Sequence, residues 1–577
     1  MKEVVDSAGN MTSVGNLMAH VETIAKWVRL SGHPDEAKAF DYIESCLKEW
    51  GVSYERITHP AYISLPVRGQ LTVTDGASSG GDETACITHS MGASTGPAGV
   101  AGRLVSVGAG LPVDYQKAGF TPGCVAMVDG LASPERALEA RRQQAVGVVF
   151  VNGPELHEMI VSPVWGSPSA ETISRLPNLP VVSILGVDGD KLKERLEIGP
   201  VTATLVTDVL TEWRPIPLLV AEIEGQVYPN DVVLLGGHVD SWHYGAMDNG
   251  SANAVQLETL RVFSQRRAEL QRTLRVAFWS GHSHGRYAGS TWYVDHHFRE
   301  LEERMVLHVY VDSVGGQGAT VLSEAWAMSE TKHVAEQVIR KVTGGEFNGG
   351  RFARGGDQSF YGVGVSALFM CLSEQPPAAP GSGQENVSAL LGGNGKTGGL
   401  GPWWHAVDDL PDKLDPEFLL RDARIYLDTL AHFLEQGRID LDFRPTVREI
   451  RGHLEDYQIA AAGKVSFADA LAACDALQSE VDALYNAGLA DERFNGAVVR
   501  LSRQLVPLNY STGNRFDHDP ALTLPPIPSL APITALGQAV AGSDEEKHWY
   551  VLARRRLNFV AQTLANAVDD LHRELNR

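Results

Sequence analysis

The sequence predicts an α/β protein: a mainly parallel mixed sheet covered by helices, preceded by a β-rich insert and followed by a helical bundle. Three observations carry this. Between Tyr228 and about Asp440, short continuous apolar runs alternate with helical segments such as Ser251 to Ser264 and Lys332 to Val342. The runs are Val232-Val-Leu-Leu, Thr273-Leu-Arg-Val-Ala-Phe-Trp, Val306-Leu-His-Val-Tyr-Val and Ser366-Ala-Leu-Phe-Met. Strands apolar on both faces that alternate with helices belong to a parallel sheet buried on each side. Upstream, residues 62 to 210 hold short apolar runs punctuated by Gly and Pro, and beyond about Asp440 the strand pattern stops.

In chain order, Ser13 to Gly51 reads as two amphipathic helices, with Leu17, Val21, Ile24 and Val28 in one stripe and Ala37, Phe40, Ile43 and Leu47 in the next. Pro34 suits the first turn of the second helix, where its missing N–H costs little. In the insert, Gly69-Gln-Leu-Thr-Val, Cys124-Val-Ala-Met-Val and Gly147-Val-Val-Phe-Val read as strands. A helix from Ser133 to Gln144 opens on Ser-Pro-Glu, a cap and first-turn signal. In the tail, Ser466 to Asn486 and Ser543 to Leu575 read as long helices. The second has Ser543 and Glu546 at capping-box spacing and Leu557, Val560, Leu564, Val568 and Leu571 on one face. That stripe serves the core of a bundle or, in part, a subunit interface.

At 577 residues the chain exceeds one hydrophobic core, and its 44% hydrophobic and 21% charged content is that of a globular protein. A net charge of -22 argues against nucleic acid and anionic membrane as partners. The first residues lack a signal-peptide pattern and no run approaches the ~20 apolar residues of a membrane span, so a cytoplasmic location is expected. Five scattered cysteines, without C-x-x-C spacing, speak against a disulfide framework or a thiolate metal site.

The chemistry concentrates in GGHVDSWHYGAMDNG, Gly236 to Gly250, a strand end and loop carrying His238, Asp240 and Asp248. Open α/β sheets place their chemistry at the carboxyl ends of parallel strands. Other such ends add Asp312 in VYVDS and His405 in PWWHAVDDLPDKLD. Imidazole nitrogen and carboxylate oxygen suit zinc, manganese or iron(II), so the set points to a divalent-metal site.

The motifs HVDSW, MDNGSANAV, GRYAGSTWYVD, YVDS, GGDQSF and HAVDDLPDKLD stand in the order and at the spacing of a known superfamily. Over nearly its whole length the chain resembles the di-zinc peptidases that include bacterial leucyl aminopeptidases, glutamate carboxypeptidase II and the transferrin receptor. The resemblance implies a zinc-peptidase-like catalytic domain over 211–440, with the helices of 1–61 part of it. It also implies a protease-associated insert over 62–210 and a helical dimerisation domain over 441–577, hence a homodimer. It assigns His238 and Asp312 to one metal and His405 to a second, with Asp248 bridging and Asp240 hydrogen-bonded to His238.

The sequence departs from the family where Gly-Glu-Glu should supply the general base and a further ligand. It reads Gly281-His282-Ser283, then His284. With an unperturbed pKa of about 6.5, an imidazole suits a base near neutral pH, so His282 is the candidate base, with Asp240 and His284 beside it. Ser283 is a poor ligand. If His282 or His284 ligates with His405 and Asp248, two histidines and a carboxylate form a set that suits iron(II) as well as zinc. Otherwise one metal remains at His238, Asp248 and Asp312.

For the substrate, Arg351, Arg354 and Asp357 in RFARGGDQSF occupy a segment that in the family lies beside it, and arginine suits a carboxylate. Tyr287, Trp403 and Trp404 are candidate walls, and Gln375 to Gly401, rich in Pro, Gly and Ser, a candidate lid. The expected function is metal-dependent hydrolysis of amide or peptide-like C–N bonds in a small, carboxylated molecule or short peptide. Two rivals stay open: a lyase or iron-dependent oxidative enzyme on the same scaffold, and a non-catalytic binding protein.

Overall fold

The computed structural model describes residues 7–75, 81–322, 325–347, 349–352, 355–369, 371–379, 387–390 and 397–576. The chain opens with helices Val14–Ile24 and Pro34–Glu49. Ser13 Oγ accepts from Asn16 N, and Pro34 stands in the first turn of the second helix. Leu17, Val21, Ile24, Phe40, Ile43 and Leu47 are buried against the sheet. The first helix stops short of Val28, and it is the following Arg29 that is fully buried.

Two strands of twenty-three residues, Ser53–Asp75 and Val201–Ile223, pair antiparallel from Ser53↔Glu222 to Asp75↔Val201. The boundaries expected at 62 and 210 fall inside them, so the strands before and after this ribbon belong to one twelve-stranded sheet. The insert is also less purely β than its punctuation suggests. Strands Val100–Ser106, Val125–Asp129, Gly147–Val151 and Val181–Ile184 run parallel, and helices Pro134–Arg142 and Gly186–Ile198 accompany them.

On the other side of the ribbon, Arg272–Trp279, Tyr228–His238, Met305–Tyr310 and Ser366–Leu368 pair parallel in that spatial order. Their apolar runs are buried on both faces, between helices such as Ala252–Gln265 and Ala288–Arg304. Tyr310 pairs with Gly236, so His238 and Asp312, each two residues further on, leave neighbouring strands at the same level.

The tail packs helices Phe443–Ala460, Ala468–Asn486, Asp491–Tyr510 and Asp544–Leu575. Leu557, Val560, Leu564 and Leu571 are buried, Val568 only partly so, with Ala567 taking its place in the core. Ser543 Oγ accepts from Glu546 N, but the Glu546 carboxylate reaches Gly542 N rather than Ser543 N. The helices Phe443–Ala460 and Asp491–Tyr510 lie outside the two expected from sequence, the latter carrying an internal Pro507. No helix among the described residues is long and apolar enough to cross a membrane.

Candidate metal centre

The donors converge on the strand ends. His238 Nε2 lies 3.2 Å from Asp248 Oδ1 and 3.5 Å from Asp312 Oδ2, while the second Asp248 oxygen lies 3.0 Å from His405 Nε2. Asp248 thus stands between the two imidazoles. His238 Nε2 is buried and makes no aligned hydrogen bond, although two carboxylates face it. His238, His282 and Asp312 each offer a donor atom, all within 4.8 Å of one another.

The electrostatics favour a cation. Burial alone would lower the His238 pKa, but Asp312 and Asp248 hold it well above the ordinary imidazole value. Asp248 goes the opposite way: despite the desolvation that would raise it, contacts with His238 and His405 hold its carboxyl well below the usual range. Burial keeps His405 neutral, the form that ligates. A buried imidazole nitrogen without an aligned partner, flanked by two carboxylates, fits a divalent ion of the zinc type.

Backbone and side chains fix these donors. His238 Nδ1 meets the backbone carbonyl of Asp240 at 2.8 Å, and His405 Nδ1 that of Glu158 at 2.7 Å. Trp404 stacks on His405 with ring centres 3.6 Å apart. The loop before Asp248 turns at Gly245, whose φ is +52° and where a Cβ would come within 2.2 Å of Asp248 O. Asp409 accepts from Met247 N at 2.8 Å and Asp248 N at 3.0 Å, and burial raises its pKa to about 7. The buried Arg29 donates to the carbonyls of Ile24, Trp27, Val239, Tyr244 and Gly245. Neither Arg29 nor Asp409 was singled out from the sequence, although Asp409 sits inside HAVDDLPDKLD.

Asp240 does not orient His238 through its carboxylate, which lies 3.8 Å from Nδ1. Its oxygens accept instead from His282 N at 3.2 Å, Ser283 N at 2.8 Å and Ser31 Oγ at 3.0 Å. Burial would raise its pKa, but contacts with His284 and His238 hold the carboxyl far below the ordinary range. Its work is to anchor the 281–284 turn. His284 also departs from expectation: Nδ1 contacts Ser31 Oγ at 3.0 Å, and the ring packs on Trp242. It is buried beneath the turn and is neither ligand nor catalytic group in this arrangement.

His282 faces the metal position. Its ring stacks on His238 at 3.7 Å between centres, and Nδ1 lies 2.8 Å from Asp357 Oδ2. Tyr310 Oη donates to Asp312 Oδ2 at 2.9 Å and to Asp357 Oδ2 at 3.2 Å, tying the two carboxylates together. Tyr310 lies two residues before Asp312, the strand period that puts both on one side; that spacing is the signal by which it could have been found. Asp357 is fully buried, so it holds His282 rather than touching substrate.

Beside the donors lies a cavity of about 180 Å³ lined by Asp248, His282, Ser283, Tyr287, Asp312, Trp404 and His405, with Met159 and Ile160 contributed by the insert. Trp242, Leu400 and Arg286 complete much of the wall. Trp403 lies outside this wall, its Nε1 on Met247 Sδ. Arg351 is not here at all. Its guanidinium donates to Glu449 at 2.7 Å and to Asn509 O at 2.6 Å and lies over the Tyr510 ring, bound to the C-terminal helices. Arg354 and much of the Gln375 to Gly401 stretch lie outside the described residues. Of that stretch, Leu400 reaches the cavity and Leu390 O accepts from Leu131 N of the insert.

A buried His–Asp donor set near the carboxyl ends of parallel strands, beside a partly open cavity, defines a candidate metal centre on an α/β sheet. Residues 219–430 match the model of peptidase family M28. Mouse carboxypeptidase Q is 32% identical over 118 residues, which span 20% of this chain and 23% of that protein. A glutamate carboxypeptidase 2 homolog of Caenorhabditis elegans is 30% identical over 164 residues, 27% of this chain and 21% of the other. The matches thus span under a quarter of these relatives' length. Among solved structures, an M28 peptidase precursor from Shewanella amazonensis aligns with a TM-score of 0.57 at 19% identity, covering 75% of this chain and 96% of that one. An aminopeptidase from Aneurinibacillus aligns at 0.53 and 20% identity, over 74% and 96%. These likenesses establish the fold.

Proposed function

We propose that the chain hydrolyses amide or peptide-like C–N bonds in a small, carboxylated substrate, using one divalent metal, zinc first, and His282 in place of a glutamate base. The observation that carries this is the His282–Asp357 contact beside His238, Asp248 and Asp312, whose carboxylates lie 3.2 and 3.5 Å from His238 Nε2. Those three residues would hold the ion, which supplies a Lewis acid for the carbonyl and acidifies water. A second position has His405 and Asp248 but Ser283 where a charged donor would be needed, which favours one ion over two.

The protein's own groups do the rest. His282, with its Nδ1–H hydrogen-bonded to the Asp357 carboxylate, presents Nε2 as the proton acceptor, and Asp357 steadies the imidazolium that forms when Nε2 takes a proton. Trp242, Trp404, Met159 and Ile160 exclude water from the cavity, which strengthens each electrostatic contact inside it. With zinc, manganese or iron(II) loaded in turn, turnover of dipeptides and N-acyl amino acids is the test. His282→Ala should lower kcat by roughly 10²–10⁴-fold with metal content retained. Metal-loaded protein that turns over none of them would defeat the proposal.

A second reading is favoured by the same cluster. If His282 itself ligates, His238, His282 and Asp312 form the two-histidine, one-carboxylate set of iron(II) enzymes. His282→Ala would then lose the metal, and iron-loaded protein would consume oxygen. We also propose a homodimer through the C-terminal helices, supported by exposed Tyr550 and Val551 on Asp544–Leu575; sedimentation equilibrium showing a monomer would remove it.

A further inference from the structure

We propose that Arg286 binds the substrate carboxylate, so that the cavity takes a small amide with an anionic group at one end and an apolar or aromatic body. This rests on the amide-hydrolase reading and adds to it the residue that selects the substrate. Arg286 lines the same cavity as His282, Asp248 and Asp312. Its Nε is buried without a hydrogen-bond partner, and its Nη2 makes one long contact, 3.4 Å, to Ala521 O. Among the described residues it makes no ion pair, whereas the buried Arg29 donates to backbone carbonyls and the buried Arg275 pairs with Glu222 and Glu300.

The backbone is arranged to put it there. Arg286 and Tyr287 have φ of 51° and 72°, left-handed values that non-glycine residues adopt at a cost. Gly166 N donates to Arg286 O at 2.6 Å and Tyr287 N to His282 O, pinning the turn so that His282, Ser283, Arg286 and Tyr287 all face the cavity. A guanidinium with open donors in a partly dry wall calls for a planar anion, which a carboxylate supplies through paired hydrogen bonds. Met159, Ile160, Trp242, Leu400 and Trp404 give the rest of the wall a largely apolar and aromatic stretch. At about 180 Å³ the space lies below the ~300–1,000 Å³ of ordinary ligand sites, room for one amino-acid residue and a compact acyl group rather than a peptide chain.

The test uses zinc-loaded full-length protein and two unhydrolysable probes, 3-benzoylpropionate and the neutral 4-hydroxybutyrophenone, titrated calorimetrically against wild type, Arg286→Leu and Arg286→Lys. Wild type should bind the carboxylate at least about tenfold more tightly than the alcohol. Arg286→Leu should erase that preference at unchanged zinc content and Arg286→Lys keep part of it. Equal binding of both probes by wild type, binding of neither, or a preference that survives in Arg286→Leu overturns the assignment. Turnover of N-benzoylglycine is measured in parallel. A carboxylate preference without turnover would defeat the hydrolase reading and leave Arg286 in place, and turnover without a preference would do the reverse.

Discussion

His282 Nδ1 lies 2.8 Å from Asp357 Oδ2, and Ser290 Oγ closes on the other carboxylate oxygen at 2.7 Å. A buried carboxylate so held fixes both the rotation and the tautomer of the imidazole. Asp357→Asn should lower kcat by roughly 10–10²-fold with little change in KM. Metal content by mass spectrometry should stay at the wild-type value, since Asp357 is one residue removed from the donors.

Replacing His282 and Ser283 together by glutamate tests the altered turn directly. The pair should raise bound zinc from one ion per chain to two, because a carboxylate at 283 completes the donor set of His405 and Asp248. An enzyme built around His282 loses its own turnover in this variant, whereas a latent peptidase gains aminopeptidase activity. Elemental analysis with both assays decides.

Asp409 gathers the amides of Met247 and Asp248 and so sets where the Asp248 carboxylate points. Asp409→Ala leaves two buried N–H groups unpaired. Zinc affinity, measured by competition with a chromophoric chelator, should fall roughly 10–100-fold, the usual effect of removing a ligand's support.

Glu449, on helix Phe443–Ala460, is bound by Arg351 at 2.7 Å, Ser329 at 2.9 Å and Asn509 at 3.1 Å, joining two loops beside the sheet to the tail. Burial would raise its pKa, but contacts with His453 and Arg351 bring it down from 4.5 to about 2. A depressed acid stabilises fully above its unfolded pKa and loses that contribution as pH falls through the folded one. Wild type should therefore exceed Glu449→Gln by up to about 3 kcal/mol at pH 6, and the gap should close between pH 4.5 and 2. Urea denaturation across that range checks it; a gap constant with pH would count against the ion pair.

The alternation of buried strands and helices was legible because a two-sided parallel strand must be apolar throughout, and His238 and Asp312 stood out because they close or directly follow such strands. His238, Asp248, Asp312 and His405 could be named from residues 236–250, 310–313 and 402–412 alone. The substrate side could not. Arg351 and Arg286 are both arginines in loops near a motif, and nothing local distinguishes the one bound by Glu449 from the one left open beside His282. Which cation is spent depends on helices a hundred residues away.

By itself the sequence determined the alternation of strands and helices over 228–440 and the types of donor near the strand ends, properties of short segments whose burial pattern or chemistry is local. Tertiary structure alone decided that Asp240 anchors a turn, that His284 lies beneath it, that Asp357 holds His282 and that the insert lends Met159 and Ile160 to the cavity. Those are matters of direction and distance between remote segments. A hydrogen bond or an ion pair exists only where packing brings two such groups within about 3 Å.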